Sequence, residues 1–199
     1  MEITYQGRGC VRLRGRDVQV LVDPDGAGRS NSGIDIVVST AGATDVDRLR
    51  PAEGRPQLVS GPGEYEVRGV AVRGFPTPDG AMMRIVVDDV RVVAVGKLSR
   101  QLSEDEIDDL GHVDVLLVPV GGNGVLTSAE ATRMVRAVEP AIVVPIHHAG
   151  GGGAGYEPVE KFTSEMGVPE GWTAQPKLNL TGSSGPTDET RVVVLERRG

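Results

Sequence analysis

Apolar and polar residues alternate with a period of two through the first half of the chain, the pattern of strands with one buried face. Glu2-Ile3-Thr4-Tyr5 predicts a short strand and Cys10-Val11-Arg12-Leu13-Arg14 a second. Arg14-Gly15-Arg16-Asp17 predicts a hairpin turn, and the strand that follows, over 18–22, is ended by Asp23-Pro24-Asp25-Gly26. Ile34-Asp35-Ile36-Val37-Val38 is almost continuously apolar, as a strand buried on both faces is. Residues 45–49 predict a short helix stopped by Pro51. Gln57-Leu58-Val59 is a further strand; residues 64–75 alternate around a turn at Gly69; residues 83–87 and 91–95 form a hairpin around Asp88-Asp89.

The period then changes. Ser103 followed by Glu106 is a capping box, and it predicts a helix ending near Gly111. Residues 113–120 read as a buried strand. Thr127 or Ser128 caps a second helix running to Val138, with Ala131, Met134, Val135 and Val138 apolar, and Pro140 stops it. Residues 141–146 predict another buried strand, 157–166 a third helix closed by Gly167, and 191–195 a last strand. Strands first and strand–helix alternation afterwards predict a layered α/β domain with two sheets and helices outside. No internal repeat or composition shift divides residues 1–199, which are expected to form one domain.

Charge and cysteine content narrow the function classes. With 21 basic and 28 acidic residues the net charge is −7, and the cations are scattered, which argues against nucleic acid as a partner. The single cysteine, Cys10, excludes an intrachain disulfide and suits a cytoplasmic protein; on an alternating strand it is expected to be a buried packing thiol. No apolar run approaches the ~20 residues of a membrane helix, and the strand-like opening residues are not expected to be a signal peptide.

Several segments in order carry a family resemblance. They are Tyr5-Gln6-Gly7-Arg8-Gly9-Cys10, Leu21-Val22-Asp23-Pro24, and Gly61-Pro62-Gly63-Glu64-Tyr65-Glu66-Val67-Arg68-Gly69-Val70. Val113-Asp114-Val115-Leu116-Leu117-Val118-Pro119-Val120-Gly121-Gly122, Pro145-Ile146-His147 and residues 160–167 follow. Together they resemble the metallo-β-lactamase-fold, metal-dependent hydrolases, in particular a prokaryotic branch marked by Gly-Pro-Gly-Glu-Tyr-Glu. The resemblance spans essentially the whole chain and implies a four-layer αββα sandwich with the site at one sheet edge.

It also implies one or two metals, usually zinc, that acidify a bound water. The ligand positions do not follow. The clustered Ser-His-x-His-x-Asp-His positions are Thr40, Gly42, Thr44 and Asp45; a one-residue shift places Asp45 on the family's aspartate and Val46 on its last histidine. The next histidine has no counterpart in Gly74-Phe75-Pro76-Thr77-Pro78-Asp79, where the loop is also short. The bridging aspartate is replaced by Lys97 in Gly96-Lys97-Leu98-Ser99, and the histidine of the opening segment by Arg8. His147 alone matches a ligand histidine, with Asp45 as a remnant second.

These substitutions predict a degenerate member, a pseudoenzyme with a binding or assembly role, whose Lys97 replaces the metal's charge and pairs with Asp45 near His147. Its ligand is a small molecule or a protein partner, or a second copy of the chain. The alternative is an active hydrolase with one weakly held zinc or manganese among His147, Asp45, Asp79 and His148. A third reading makes Lys97 and His147 proton-transfer groups of a metal-free enzyme. The pocket candidates are thus Lys97, Asp45, His147, Thr40, Thr44, Asp79 and Arg8. Adjacent strand residues face opposite ways, so His147 and His148 are not expected to share an ion. His112 reads as a loop or cap residue, Glu104-Asp105-Glu106 with Asp108 and Asp109 as a solvated helix face, and Asp23 and Asp25 as turn residues. Glu64 and Glu66 share one strand face without a partner group. Residues 149–155 lack the Gly-Lys-Ser/Thr ending of a phosphate loop and read as a flexible loop at the pocket mouth.

Overall fold

The computed structural model describes residues 1–24, 32–42, 50–51, 55–78, 80–183, 185 and 189–198. Along the chain run β1 (Glu2–Gly7), β2 (Cys10–Arg14), β3 (Gln19–Val22), β4 (Ser32–Ile34), β5 (Ile36–Ser39), β6 (Arg50–Pro51), β7 (Gln57–Ser60), β8 (Gly63–Val67), β9 (Val70–Thr77), β10 (Gly80–Val87) and β11 (Val90–Ala94). Then come α1 (Glu104–Leu110), β12 (Val115–Pro119), α2 (Ser128–Val138), β13 (Ile142–Ile146), α3 (Val159–Glu165), β14 (Leu178–Asn179) and β15 (Arg191–Val192).

They assemble into a six-stranded sheet, β14-β1-β2-β3-β5-β7, and a seven-stranded sheet, β15-β13-β12-β11-β10-β9-β8, with β4 and β6 paired apart. Both large sheets are mixed. β3, β5 and β7 run parallel, as do β11, β12, β13 and β15, whereas the hairpins β1–β2 and β8–β9–β10–β11 are antiparallel.

Period-two alternation decides what each face touches. Met83, Ile85, Val92, Ala94, Val115, Leu117, Val144 and Ile146 point inward and meet Ile3, Leu13, Val20, Ile36 and Val38 of the other sheet. Their neighbours Met82, Val93, Leu116, Val118 and Val143 point outward, under Leu110 of α1, Ala131, Met134 and Val135 of α2, and Phe162 of α3. Each such buried side chain contributes about 1.5–3 kcal/mol of transfer free energy. On the other side of the molecule Cys10 packs with Leu21, Ile34 and Val37, buried as expected of a packing thiol. Two sheets with helices outside is the expected sandwich. The helix predicted over 45–49 lies outside the described residues.

Both capping boxes form: Ser103 with Glu106 opens α1, and Thr127, rather than Ser128, closes the box with Glu130 that opens α2. α3 starts two residues later than predicted, at Val159, because Pro158 is its N-cap. The last predicted strand pairs as β15 only at Arg191–Val192; beyond it the backbone continues as single bridges, including Leu195 with Gln175. Among the described residues no helix is long and apolar enough to cross a membrane.

Candidate functional site

Parallel strands of an α/β sheet leave a crevice beyond their carboxyl ends. Here the segments after β3, β5, β11 and β13, together with the β1–β2 turn, converge on one cavity of about 160 Å³. Arg8, Gly9, Asp23, Pro24, Ser39, Thr40, Ala41, Lys97 and His147 line it. A second lobe of about 320 Å³ shares Thr40, Ala41 and Lys97 with the first and continues past Thr77, Pro78, Ala81, Val95, Leu98, Ser99 and Arg100.

Thr40 is the fixed point of the cleft. Its backbone N–H donates to Asp23 Oδ1 at 2.7 Å and its hydroxyl to Asp23 Oδ2 at 2.7 Å. Its carbonyl accepts from the Ala81 N–H at 2.9 Å. Burial raises the Asp23 carboxyl above its ordinary range, and the two Thr40 hydrogen bonds and the Lys97 charge work against that rise. Lys97 is exposed and makes no ion pair among the described residues. Arg100, at the far end of the second lobe, is committed: its guanidinium forks onto Glu106 at 2.6 and 2.7 Å and holds that carboxyl at about 2.

His147 is 4% exposed and lies edge-on to Tyr156, ring centroids 5.6 Å apart. The His147 backbone N–H donates to the Arg8 carbonyl at 2.7 Å, and the Arg8 backbone N–H donates to the Gly151 carbonyl at 2.8 Å. Gly9 covers the imidazole so closely that a β-carbon there would stand 2.6 Å from Nε2. Three non-glycine residues around this one cavity adopt left-handed backbone: Arg8 (φ 51°), Asp23 (φ 45°) and His147 (φ 51°). Each such residue costs on the order of 1–3 kcal/mol, and such strain clusters at functional sites.

A family model described as a beta-lactamase superfamily domain matches residues 2–147. The chain belongs to the beta-lactamase superfamily. It is 25% identical over 185 residues to a UPF0173 protein of Pyrococcus abyssi, covering 77% of this chain and 87% of that one. It is 20% identical over 185 residues to a UPF0173 metal-dependent hydrolase of Natranaerobius thermophilus, covering 74% and 83%. Among solved structures it is similar to a proposed Zn-dependent hydrolase of the metallo-beta-lactamase superfamily from Thermotoga maritima, with a TM-score of 0.82, 25% identity and coverage of 98% and 99%. A metallo hydrolase of Ignicoccus hospitalis, at 17% identity and a TM-score of 0.65, shares the fold.

Of the residues singled out in the sequence, Arg8, Thr40, Lys97 and His147 of this superfamily member come together at one cavity. Thr44, Asp45 and Asp79, and with them the Lys97–Asp45 pair, lie outside the described residues. The carboxylate found beside Lys97 is Asp23, which the sequence marks as a strand-ending turn residue in a family-like segment and not as a pocket residue. His148 turns away from the cleft onto Tyr5, ring centroids 5.5 Å apart; the two histidines part at a left-handed bend at His147, beyond the end of β13, rather than by strand alternation. His112 pairs with Asp114 at 3.1 Å. The glycine run over 149–155 is not the free loop expected of its composition. Its first residues form a 3-10 turn, Gly151 takes the Arg8 N–H and packs under the Tyr5 hydroxyl, and Gly153 packs against the Tyr156 ring.

The donors present are a poor match for zinc. A catalytic zinc site needs three protein ligands and an open position. Among the described lining residues there is one imidazole, one carboxylate whose two oxygens already accept from Thr40, and an ammonium beside them. Among the described residues no three His, Cys, Asp or Glu side chains converge at ligand spacing. What Asp23 does instead is lock the end of β5. Thr40→Val keeps the volume and removes one hydrogen bond to a charged acceptor, so a loss of about 1.5 kcal/mol is expected in urea unfolding. An unchanged midpoint would show that the hydroxyl contributes nothing.

Proposed function

We propose that this superfamily member holds no catalytic metal and acts by binding a small molecule or a partner protein in the cleft around Lys97, not by hydrolysis. One observation carries the reading: an ammonium, a doubly hydrogen-bonded carboxylate and a single imidazole line the cavity that the family resemblance assigns to metal. Two unit charges 4 Å apart interact by about 4 kcal/mol at an effective dielectric near 20. A divalent ion beside Lys97 is opposed on that scale, with too few donors among the described residues to offset it.

The superfamily fold is present, and a cavity bordered by left-handed backbone stands at its strand ends; both support a binding role. Metal content per chain tests the reading. It is measured by elemental analysis on protein purified without chelator, and again after zinc and manganese loading. The expected result is far less than one ion per chain in each preparation. One retained ion per chain overturns the reading and favours the alternative, a rebuilt single-metal hydrolase site around His147. The observation on that alternative's side is that His147 is held in left-handed backbone at the cavity wall.

A further inference from the structure

We infer that the two joined lobes bind a small organic monocarboxylate, its carboxylate on the Lys97 ammonium and its apolar body along Ala81, Val95 and Leu98. The inference rests on the metal-free reading above, since a bound divalent ion would itself take a carboxylate. The chain as a whole is acidic, with net charge −7. The cleft inverts that balance. Three described lining residues are cationic, Arg8, Lys97 and Arg100, against the single carboxylate of Asp23. A cleft with low-dielectric walls and one sign of charge concentrates ligands of the opposite sign.

The contacts rank these charges. Asp23 is satisfied by Thr40, and the Arg100 fork is taken by Glu106. Lys97 stands at the wall common to both lobes and makes no ion pair among the described residues. An ammonium is a compact point charge with three donors, suited to one carboxylate head. Beside it the larger lobe offers hydroxyls from Thr77 and Ser99 over an apolar floor. A mostly apolar pocket with a few placed polar groups fits an amphiphilic anion. Free phosphate would leave the apolar floor uncovered.

The test uses the full chain, with its metal content determined, and hexanoate as the probe. Hexanamide and inorganic phosphate serve as neutral and compact-anion controls. Binding is followed by backbone amide shifts in a titration. Hexanoate is expected to shift the Thr40, Lys97 and Leu98 amides saturably and to bind at least about tenfold tighter than either control. A hydrogen bond to a charged group sets the expected loss for Lys97→Met at about tenfold to a hundredfold, with Lys97→Arg recovering most of it. Raising the ionic strength weakens binding more in the wild type than in Lys97→Met.

Lys97 is exposed, so both variants are expected to melt with the wild type, which is checked by circular dichroism. Equal binding of hexanamide or phosphate, or hexanoate binding unmoved by Lys97→Met, overturns the inference. If that occurs in metal-free protein, the metal-free reading stands and this inference alone falls. If one ion per chain is found and a chelator abolishes hexanoate binding, both fall, because the carboxylate then belongs to the ion.

Discussion

Gly96→Ala is expected to lower stability by about 3–4 kcal/mol, which for a chain of this length corresponds to a drop in Tm of roughly 10 °C. Two effects combine. Gly96 has φ +64°, and an alanine held in left-handed backbone costs about 1–2 kcal/mol. The added β-carbon would also overlap the Thr40 hydroxyl and stand 2.8 Å from Thr40 Cβ. Thr40 has little room to retreat, because Asp23 holds its hydroxyl and N–H and Ala81 holds its carbonyl. Relief therefore requires breaking the hydroxyl–carboxylate bond, worth about 1.5–3 kcal/mol. Gly42→Ala is the matched control: φ is +85° and no described residue lies within 4 Å of where the alanine methyl would stand, so the backbone cost is the one that applies. Thermal and urea unfolding of the two variants separate the terms. Equal losses would show that Thr40 yields freely and that the β5 end is not clamped.

The clamp is not legible along the chain, and the reason is physical. Strands announce themselves by period-two alternation, as β2 and β9 do, or by a short continuous apolar run, as β5 and β12 do. Helix starts are readable because a cap and its return partner sit three residues apart, as Ser103 and Glu106 do. Asp23 has no such local signal. Its partner Thr40 lies seventeen residues further on, brought near only when β3 and β5 pair in parallel. Gly9 and Gly96 fall in the same class. Each is small because an element distant in sequence passes close to it, His147 for the first and Thr40 for the second.

The family resemblance locates the cleft through Lys97 and His147, whose segments keep their order. It marks the positions of Asp23, Thr40 and Gly96 but not their contacts with one another. A motif gives residues in order, whereas the Asp23–Thr40 hydrogen bonds and the close approach of Gly96 to Thr40 exist only once the strand ends are brought together. The glycine run over 149–155 makes the same point from composition. Glycines suggest freedom, yet Gly151 and Gly153 are small because Tyr5 and Tyr156 lie against them.

His148 is expected to make the fold lose stability between about pH 6.5 and pH 4. Its side chain is 3% exposed, stacked on Tyr5, and neither ring nitrogen has a hydrogen-bond partner among the described residues. Burial lowers its pKa from 6.5 to about 4, with Glu160 pulling weakly the other way. The folded chain thus keeps the neutral ring where the unfolded chain has already bound a proton. Its contribution is complete above the unfolded pKa and is lost as pH falls toward the folded one. Each pKa unit is ~1.4 kcal/mol, so the loss over that window is on the order of 3 kcal/mol. His148→Phe removes the titration, and since it exchanges an unpaired buried ring for an apolar one, stability near neutral pH should change by no more than about 1 kcal/mol. Urea unfolding of both proteins from about pH 7 to pH 4 measures the difference. Carboxylates common to both cancel in the comparison, and Glu106, held at about 2, titrates below the window. The wild type should fall away from the variant through the window. Parallel profiles would mean that a proton reaches His148 in the folded chain at no cost, through water or a shift of the ring that opens its packing on Tyr5.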